Sequence, residues 1–207
     1  LLRRDPPTAG KRLKEQCEIE NIAVHLDDGV ERVTPSEAHL ASDKTIPYDA
    51  ILLATGRKPN TESLQLEAAG IETENGYPVT DEYLQTTNNN VYAVGDVTGS
   101  YQLSHAAEHE ATTVVKNLVL PYSERVDYTQ MPWVTYTDPA VASFGSLPDT
   151  LDESTYRYDK VRLRFDESDR AIIEDDAGWG EIYVTGREIR GGCIVSKEAE
   201  HIVQDLL

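Results

Sequence analysis

Residues 91–96 read VYAVGD, a short apolar run that ends in a glycine and an aspartate. Continuous apolar runs of this length are typical of buried parallel strands, which end in a turn. After a turn-rich stretch, the pattern predicts a helix over residues 103–118 that Pro121 stops. The sequence therefore predicts a strand, a turn at Gly95-Asp96 and a helix, which is a unit of α/β architecture.

The position of Asp96 in this unit points to ligand binding. A carboxylate at the carboxyl end of a buried parallel strand lies where α/β sheets bind ligands, and it can accept hydrogen bonds from sugar or polyol hydroxyls. The helix predicted from Leu103 begins with unpaired backbone N–H groups and a positive dipole end, which suit an anionic group. A turn that simply begins at Asp96 explains the same residues, because Gly-Asp is a common turn sequence. The residues alone leave both interpretations open.

Composition excludes several classes of partner. Asp and Glu number 37 against 19 Lys and Arg in 207 residues, which gives a formal charge of -18. Such a surface repels DNA, RNA and anionic lipid. We expect neither a membrane span, which needs roughly 18 apolar residues, nor a signal peptide. Because Cys17 and Cys193 lie far apart and form no CxxC motif, we expect a cytoplasmic protein without disulfides.

The remaining pattern predicts an α/β half followed by an α+β half, with a boundary near Gln130. In the first half we expect a helix over 5–20 and strands over 22–26, 30–33 and 48–56. A polar stretch covers 34–47, and irregular, turn-rich chain is expected over 57–90. In the second half we expect a helix over 197–207 and strands over 134–136, 141–144, 156–165, 171–174, 181–185 and 189–195. The last two strands are expected to form a hairpin through Gly186-Arg187-Glu188.

Several motifs follow one another along the chain in a recognisable order. They read ATGRKPN at 54–60, VYAVGDV at 91–97, LSH at 103–105, MPWVTYTDP at 131–139, DRA at 169–171 and GGCIV at 191–195, continuing through Ala199-Glu200. In this order they resemble the FAD- and NAD(P)-dependent pyridine nucleotide-disulfide oxidoreductase family, which includes dihydrolipoamide dehydrogenase, glutathione reductase and mercuric reductase. The resemblance covers almost the whole chain.

The resemblance implies a domain order and an assembly. Residues 1–60 correspond to the C-terminal half of a Rossmann-like NAD(P)-binding domain, and residues 61–130 to the second segment of an FAD-binding domain. Residues 131–207 correspond to most of an α+β interface domain, through which a homodimer is implied. The sequence around Trp133 and at 169–171 is most similar to mercuric reductases and dihydrolipoamide dehydrogenases.

The resemblance also implies a cofactor site for FAD and NAD(P). The expected cofactor-binding residues are Asp96, Gly95, Leu103, Ser104, His105 and Gly56. Asp96 is expected to bind the FAD ribitol, and Ser104 to lie at the helix start beside the flavin pyrimidine ring. Gly56 is expected to approach the nicotinamide nucleotide closely.

Some family features are absent from these residues. They are the N-terminal glycine-rich FAD fingerprint, the GxGxxG of the NAD(P) domain, the Cys-x4-Cys redox pair and the His–Glu dyad. We therefore expect a piece of a longer enzyme that holds no catalytic residue and does not turn over alone. The implied parent reaction moves electrons between NAD(P)H, FAD and a dihydrolipoamide-type disulfide or a mercuric ion. Cys17 and Cys193 are expected to be buried packing residues.

Two other functions fit parts of the sequence. His105 to His109 reads HAAEH, and histidines at i and i+4 share a helix face that can bind zinc, with Glu108 as general base. The plainer interpretation of this segment is a solvent-facing His109. A non-enzymatic interaction module is the other alternative, in which residues 131–207 pair across a two-fold axis.

Overall fold

The structure is a computed structural model, and it describes residues 1–148, 158–165, 173 and 178–207. The described residues form two compact units. The first contains Leu1–Ala54 and Pro132–Leu207, and the second contains Thr55–Met131. The domain boundaries expected near residues 60 and 130 stay a prediction.

The first unit begins with helix α1 (Pro7–Ile19), which confirms the helix expected over 5–20. Proline is accepted at its start because the N–H groups of a first turn have no partner within the helix. An antiparallel sheet of three short strands follows, in the order β1 (Val30–Val33), β2 (Glu37–Leu40) and β3 (Thr45–Pro47). In β2 the alternate residues Ala38 and Leu40 are buried, which is the pattern of a strand with one apolar face.

Several strand predictions in the first 100 residues are wrong. Residues 22–26 and 50–54 lie outside any strand, and Leu52 in the second run is 89% exposed. Residues 91–94 make a single isolated bridge, between Tyr92 and Gln85. An apolar run becomes a buried parallel strand only where neighbouring strands supply hydrogen-bond partners, and no described strand pairs with these runs. Strands β2 and β3 lie in the polar stretch over 34–47, where the sequence pattern predicted no strand.

The C-terminal part of the first unit contains a five-stranded antiparallel sheet in the order β6-β7-β10-β9-β8. Its strands are β6 (Pro132–Thr135), β7 (Ala140–Gly145), β8 (Asp159–Arg164), β9 (Trp179–Thr185) and β10 (Glu188–Ser196). The expected hairpin joins β9 to β10 through Gly186, whose φ of +64° lies in the left-handed region that turns require. The strand expected over 171–174 and the motif at 169–171 lie outside the described residues, apart from Ile173.

Helices cover both faces of this sheet. Helix α3 (Ala199–Leu206) packs through Ala199 and Val203 on the face that carries Ala142 and Ile194. Neighbouring residues in the same strands point to the opposite face, where Cys193 packs against Ala9 of α1. Burial of small apolar residues on the α1 face therefore joins the N-terminal segment to the C-terminal sheet.

The second unit is built around helix α2 (Ser104–Val119), which confirms the helix expected over 103–118. A two-stranded hairpin, β4 (Thr73–Glu74) and β5 (Tyr77–Pro78), precedes the helix. Short 3₁₀ helices lie at Glu62–Leu64, Leu66–Ala69 and Gly95–Thr98. Within the described ranges, no helix of either unit has the length and apolar content that crossing a membrane requires.

Candidate functional site

The Gly95-Asp96 turn forms the first part of the candidate site. A 3₁₀ helix over Gly95–Thr98 follows Val94, whose backbone is extended at φ -138° and ψ 151°. Gly95 and Gly99 have φ of +79° and +75°, values that glycine adopts without steric cost. At Gly99 a Cβ would also lie 2.8 Å from the ring of Tyr77. Glycines at both ends therefore allow the chain to turn tightly around Asp96.

The Asp96 carboxylate is 56% exposed and forms an ion pair with Arg57. Arg57 Nη1 lies 3.0 Å from Asp96 Oδ2 and 3.5 Å from the carbonyl oxygen of Gln102. The structure thus brings the motif at residues 54–60 to the motif at residues 91–97. Because both side chains are more than half exposed, the pair contributes little stability, and ligand hydroxyls can compete for the carboxylate.

The start of α2 forms the second part of the site. Leu103 occupies the N-cap position with an extended backbone, and its carbonyl accepts the Ala107 N–H at 3.0 Å. Its side chain makes no capping hydrogen bond, so the first-turn N–H groups have no partner from this residue. Ser104 and His105, the first two helical residues, have exposed side chains. This helix end offers backbone donors and a positive dipole to an anionic group.

Glu110 is a site residue that the sequence reasoning missed. Its side chain is fully buried, and Oε2 accepts the Gly95 N–H at 2.5 Å. Oε1 accepts the Tyr128 hydroxyl at 2.6 Å and the Ser100 hydroxyl at 3.2 Å. Glu110 shares a helix face with Ala106 and Val114, which are four residues away on either side. The signal in the sequence is a carboxylate on the same helix face as apolar residues, because a charged side chain that is buried there needs hydrogen-bond donors.

Tyr128 donates a hydrogen bond to the Glu110 carboxylate and keeps its phenol proton. Burial, followed by the hydrogen bond to Glu110, raises the pKa of Tyr128 to about 12. The phenol therefore keeps its proton at neutral pH. Its ring stacks on Tyr101 with centroids 4.9 Å apart and meets His109 edge-on at 6.3 Å.

The structure does not gather a metal centre around the HAAEH segment. Within the described parts of the chain, no group of three or more His, Cys, Asp or Glu side chains is placed to hold a metal ion. His109 is half-buried, and its Nε2 is shielded from solvent. The interpretation of His109 as a plain solvent-facing residue is therefore wrong, because its ring packs against Tyr128.

The remaining residues that the sequence singled out, one glycine and two cysteines, differ in how exposed they are. Gly56 has φ +127°, and the space where its Cβ would stand is open, so a ligand can approach this backbone. Cys193 is buried as expected, and burial raises its pKa to about 12. Cys17 is only half-buried on α1. The protonated Cys193 thiol is not a nucleophile at neutral pH.

Comparison with known proteins identifies the relatives of this chain. The family model of the pyridine nucleotide-disulphide oxidoreductases matches residues 1–111, and the model of their dimerisation domain matches residues 131–207. A mercuric reductase from Staphylococcus aureus is 36% identical over 165 residues, which are 78% of this chain and 30% of that protein. A dihydrolipoyl dehydrogenase from Chlamydia trachomatis is 31% identical over 77% of this chain and 35% of its own length. A mycothione reductase from Mycobacterium tuberculosis is 37% identical over 90% of this chain and 39% of its own length.

A solved structure has the same fold. The HOCl-induced flavoprotein disulfide reductase RclA from Escherichia coli matches with a TM-score of 0.87 and 24% identity, over 99% of this chain and 49% of that chain. The expected fold class, Rossmann-like nucleotide-binding portions followed by an α+β dimerisation domain, is confirmed. The chain spans about a third of the length of the curated relatives it matches. It belongs to the pyridine nucleotide-disulphide oxidoreductase family.

Proposed function

We propose that this chain is part of an FAD-dependent oxidoreductase that moves electrons between NAD(P)H and a disulfide, a dithiol or a mercuric ion. The observation that carries this proposal is the exposed Asp96 carboxylate on a glycine turn. The same unit contains the start of α2, where the N-cap residue Leu103 makes no side-chain capping bond. The substrate classes follow from relatives described as mercuric, dihydrolipoyl and mycothione oxidoreductases. Cytoplasmic location stays a prediction from the cysteine content.

The residues present fit a flavin nucleotide. Asp96 offers carboxylate oxygens to the hydroxyls of a ribitol chain, and its exposure leaves them accessible. The first turn of α2, at Leu103, Ser104 and His105, offers N–H groups and a positive dipole to the flavin pyrimidine edge. Gly56 leaves the backbone open for the nicotinamide nucleotide.

The residues of this chain hold the cofactor and leave the redox chemistry to it. When bound, FAD would supply two-electron chemistry: a hydride taken from NAD(P)H would be passed on, with one proton from solvent, to reduce a disulfide to two thiols, or its two electrons would reduce a mercuric ion to the metal. In this role Asp96 binds and orients the flavin nucleotide and exchanges no proton with it. The α2 start stabilises negative charge through its dipole, which is worth about 0.3–1 kcal/mol at such a helix end.

The proposed assembly is a homodimer through residues 131–207. The match of these residues to the dimerisation domain and their sheet with its own apolar core support it. Sedimentation equilibrium of the purified protein is expected to give twice the chain mass. A monomer at every concentration would exclude this assembly.

Flavin content of an Asp96→Ala variant tests the proposed cofactor role. Losing a hydrogen-bond acceptor that is charged costs about 1.5–3 kcal/mol, so FAD affinity is expected to fall roughly 10-fold to 100-fold. The measurement is the ratio of flavin absorbance to protein after purification from the native gene. Glu108→Ala, which removes an exposed carboxylate from α2, is the matched control and should keep wild-type flavin. Unchanged flavin in Asp96→Ala would refute the assignment, and a colourless wild type would favour the interaction module.

A further inference from the structure

We infer that Glu110 is the positioning residue of the cofactor site: it holds the turn over residues 95–100 against α2 so that Asp96 is presented to ligand. This proposal rests on the function proposed above and adds a residue that its motifs do not include. Glu110 itself is fully buried and does not meet the cofactor.

The two oxygens of Glu110 hold both ends of one turn. Oε2 accepts the N–H of Gly95, the first residue of the turn, at 2.5 Å. Oε1 accepts the hydroxyl of Ser100, the last residue of the turn, at 3.2 Å. Asp96 lies between these two anchored residues. Its backbone position is therefore set from both sides by a single carboxylate.

A second set of hydrogen bonds closes the turn on itself. Thr98 Oγ1 donates to the Gly95 carbonyl at 3.0 Å and lies 2.7 Å from Ser100 Oγ. Gly95 is buried at a φ of +79°, so its N–H would lack a partner if Glu110 were removed. Loss of the carboxylate therefore releases the start of the turn first.

Packing alone does not explain why a carboxylate occupies the buried position of Glu110. Among the described residues no Lys, Arg or His forms a salt bridge with Glu110, and its stabilisation comes from hydrogen-bond donors. A buried carboxylate without a cation is costly, whereas Ala106 and Val114 fill the same helix face with apolar groups. The cost is offset only where two acceptor oxygens are needed at fixed positions.

Glutamine is the conservative replacement that retains these positions. Its carbonyl oxygen can accept the Gly95 N–H, and its amide can donate to the oxygens of Tyr128 and Ser100, whose hydroxyls then rotate. Glu110→Gln therefore keeps the hydrogen-bond geometry, whereas Glu110→Ala removes every anchor. A positioning role predicts rescue by glutamine.

The test is a titration of the natural full-length protein, prepared without its flavin, with FAD. The change in flavin fluorescence gives the dissociation constant. Glu110→Ala is expected to weaken FAD binding roughly 10-fold to 100-fold, and Glu110→Gln less than about threefold, as follows from the cost of an unpaired buried donor. Val114→Ala removes packing from the same buried face and serves as the control. It is expected to lower the melting temperature and leave the FAD dissociation constant unchanged.

The outcomes separate the positioning role from a structural one. Three outcomes would overturn the inference and leave the proposed function standing. They are an unchanged FAD dissociation constant in Glu110→Ala, no rescue of FAD binding by Glu110→Gln, and equal weakening of FAD binding by Val114→Ala. A wild-type protein that binds no FAD would overturn the proposed function as well. If Glu110→Ala fails to fold, Ser100→Ala releases the far end of the turn, and it should weaken FAD binding roughly threefold to 10-fold. Wild-type affinity in that variant would also refute the inference.

Discussion

Replacement of Asp5 by alanine is expected to destabilise the first compact unit by about 2–4 kcal/mol. Asp5 precedes α1 and is only 8% exposed. Its Oδ1 accepts the indole N–H of Trp133 at 3.0 Å and the hydroxyl of Ser143 at 2.6 Å. This carboxylate is therefore a polar link between the N-terminal segment and the β6-β7 edge of the sheet.

The expected cost follows from the two donors that lose their acceptor. Ser143 is fully buried, so its hydroxyl loses its carboxylate acceptor in a place that water does not reach, which costs about 1–3 kcal/mol. Trp133 is half-buried and can regain a bond to water, so its share is near the lower end of that range. Asp5→Asn keeps one carbonyl oxygen and loses only the charge, so it should cost about 1 kcal/mol.

Urea unfolding followed by tryptophan fluorescence measures this effect. Both tryptophans of the chain, Trp133 and Trp179, lie in the first unit, so the signal reports on it. Glu31→Ala removes an exposed carboxylate from β1 and should stay within about 0.5 kcal/mol of the wild type. If Asp5→Ala matches that control, or costs no more than Asp5→Asn, the buried link does not stabilise the unit.

Three further perturbations have expected outcomes. Because burial raises the pKa of Cys193 from 9.0 to about 12, the folded state keeps a proton that the unfolded chain loses, and stability falls as pH rises through this window. Cys193→Ala should flatten that fall in urea unfolding. Gly99→Ala should cost about 1–3 kcal/mol in thermal unfolding, because φ is +75° and the new Cβ meets Tyr77. Glu181→Ala should cost about 1–3 kcal/mol in urea unfolding, because the buried Tyr183 hydroxyl, 2.9 Å away, loses its acceptor. Glu181→Gln keeps an acceptor for this hydroxyl and should cost less.

Local elements were predicted well because their hydrogen bonds are local. Helices α1 and α2 follow from apolar spacing and prolines, since each N–H finds its partner four residues earlier. The β9-β10 hairpin follows from the turn at Gly186, since that turn places the two strands side by side. The strands expected over 134–136, 141–144 and 189–195 are also confirmed, although β7 pairs with the distant strand β10. Two apolar runs in the first half were not predictable in this way. The apolar runs at 48–56 and 91–94 resemble buried strands, but no described strand pairs with them.

The sequence by itself determined the family and the exposed half of the candidate site. Asp96 and the α2 start belong to motifs that are contiguous in the chain, so their order is readable without coordinates. Only the tertiary structure decided that Arg57 pairs with Asp96 and that Glu110 holds Gly95, across 39 and 15 residues of chain. The physical reason is that burial and hydrogen-bond partners are properties of packing, which brings together side chains that sequence spacing keeps apart.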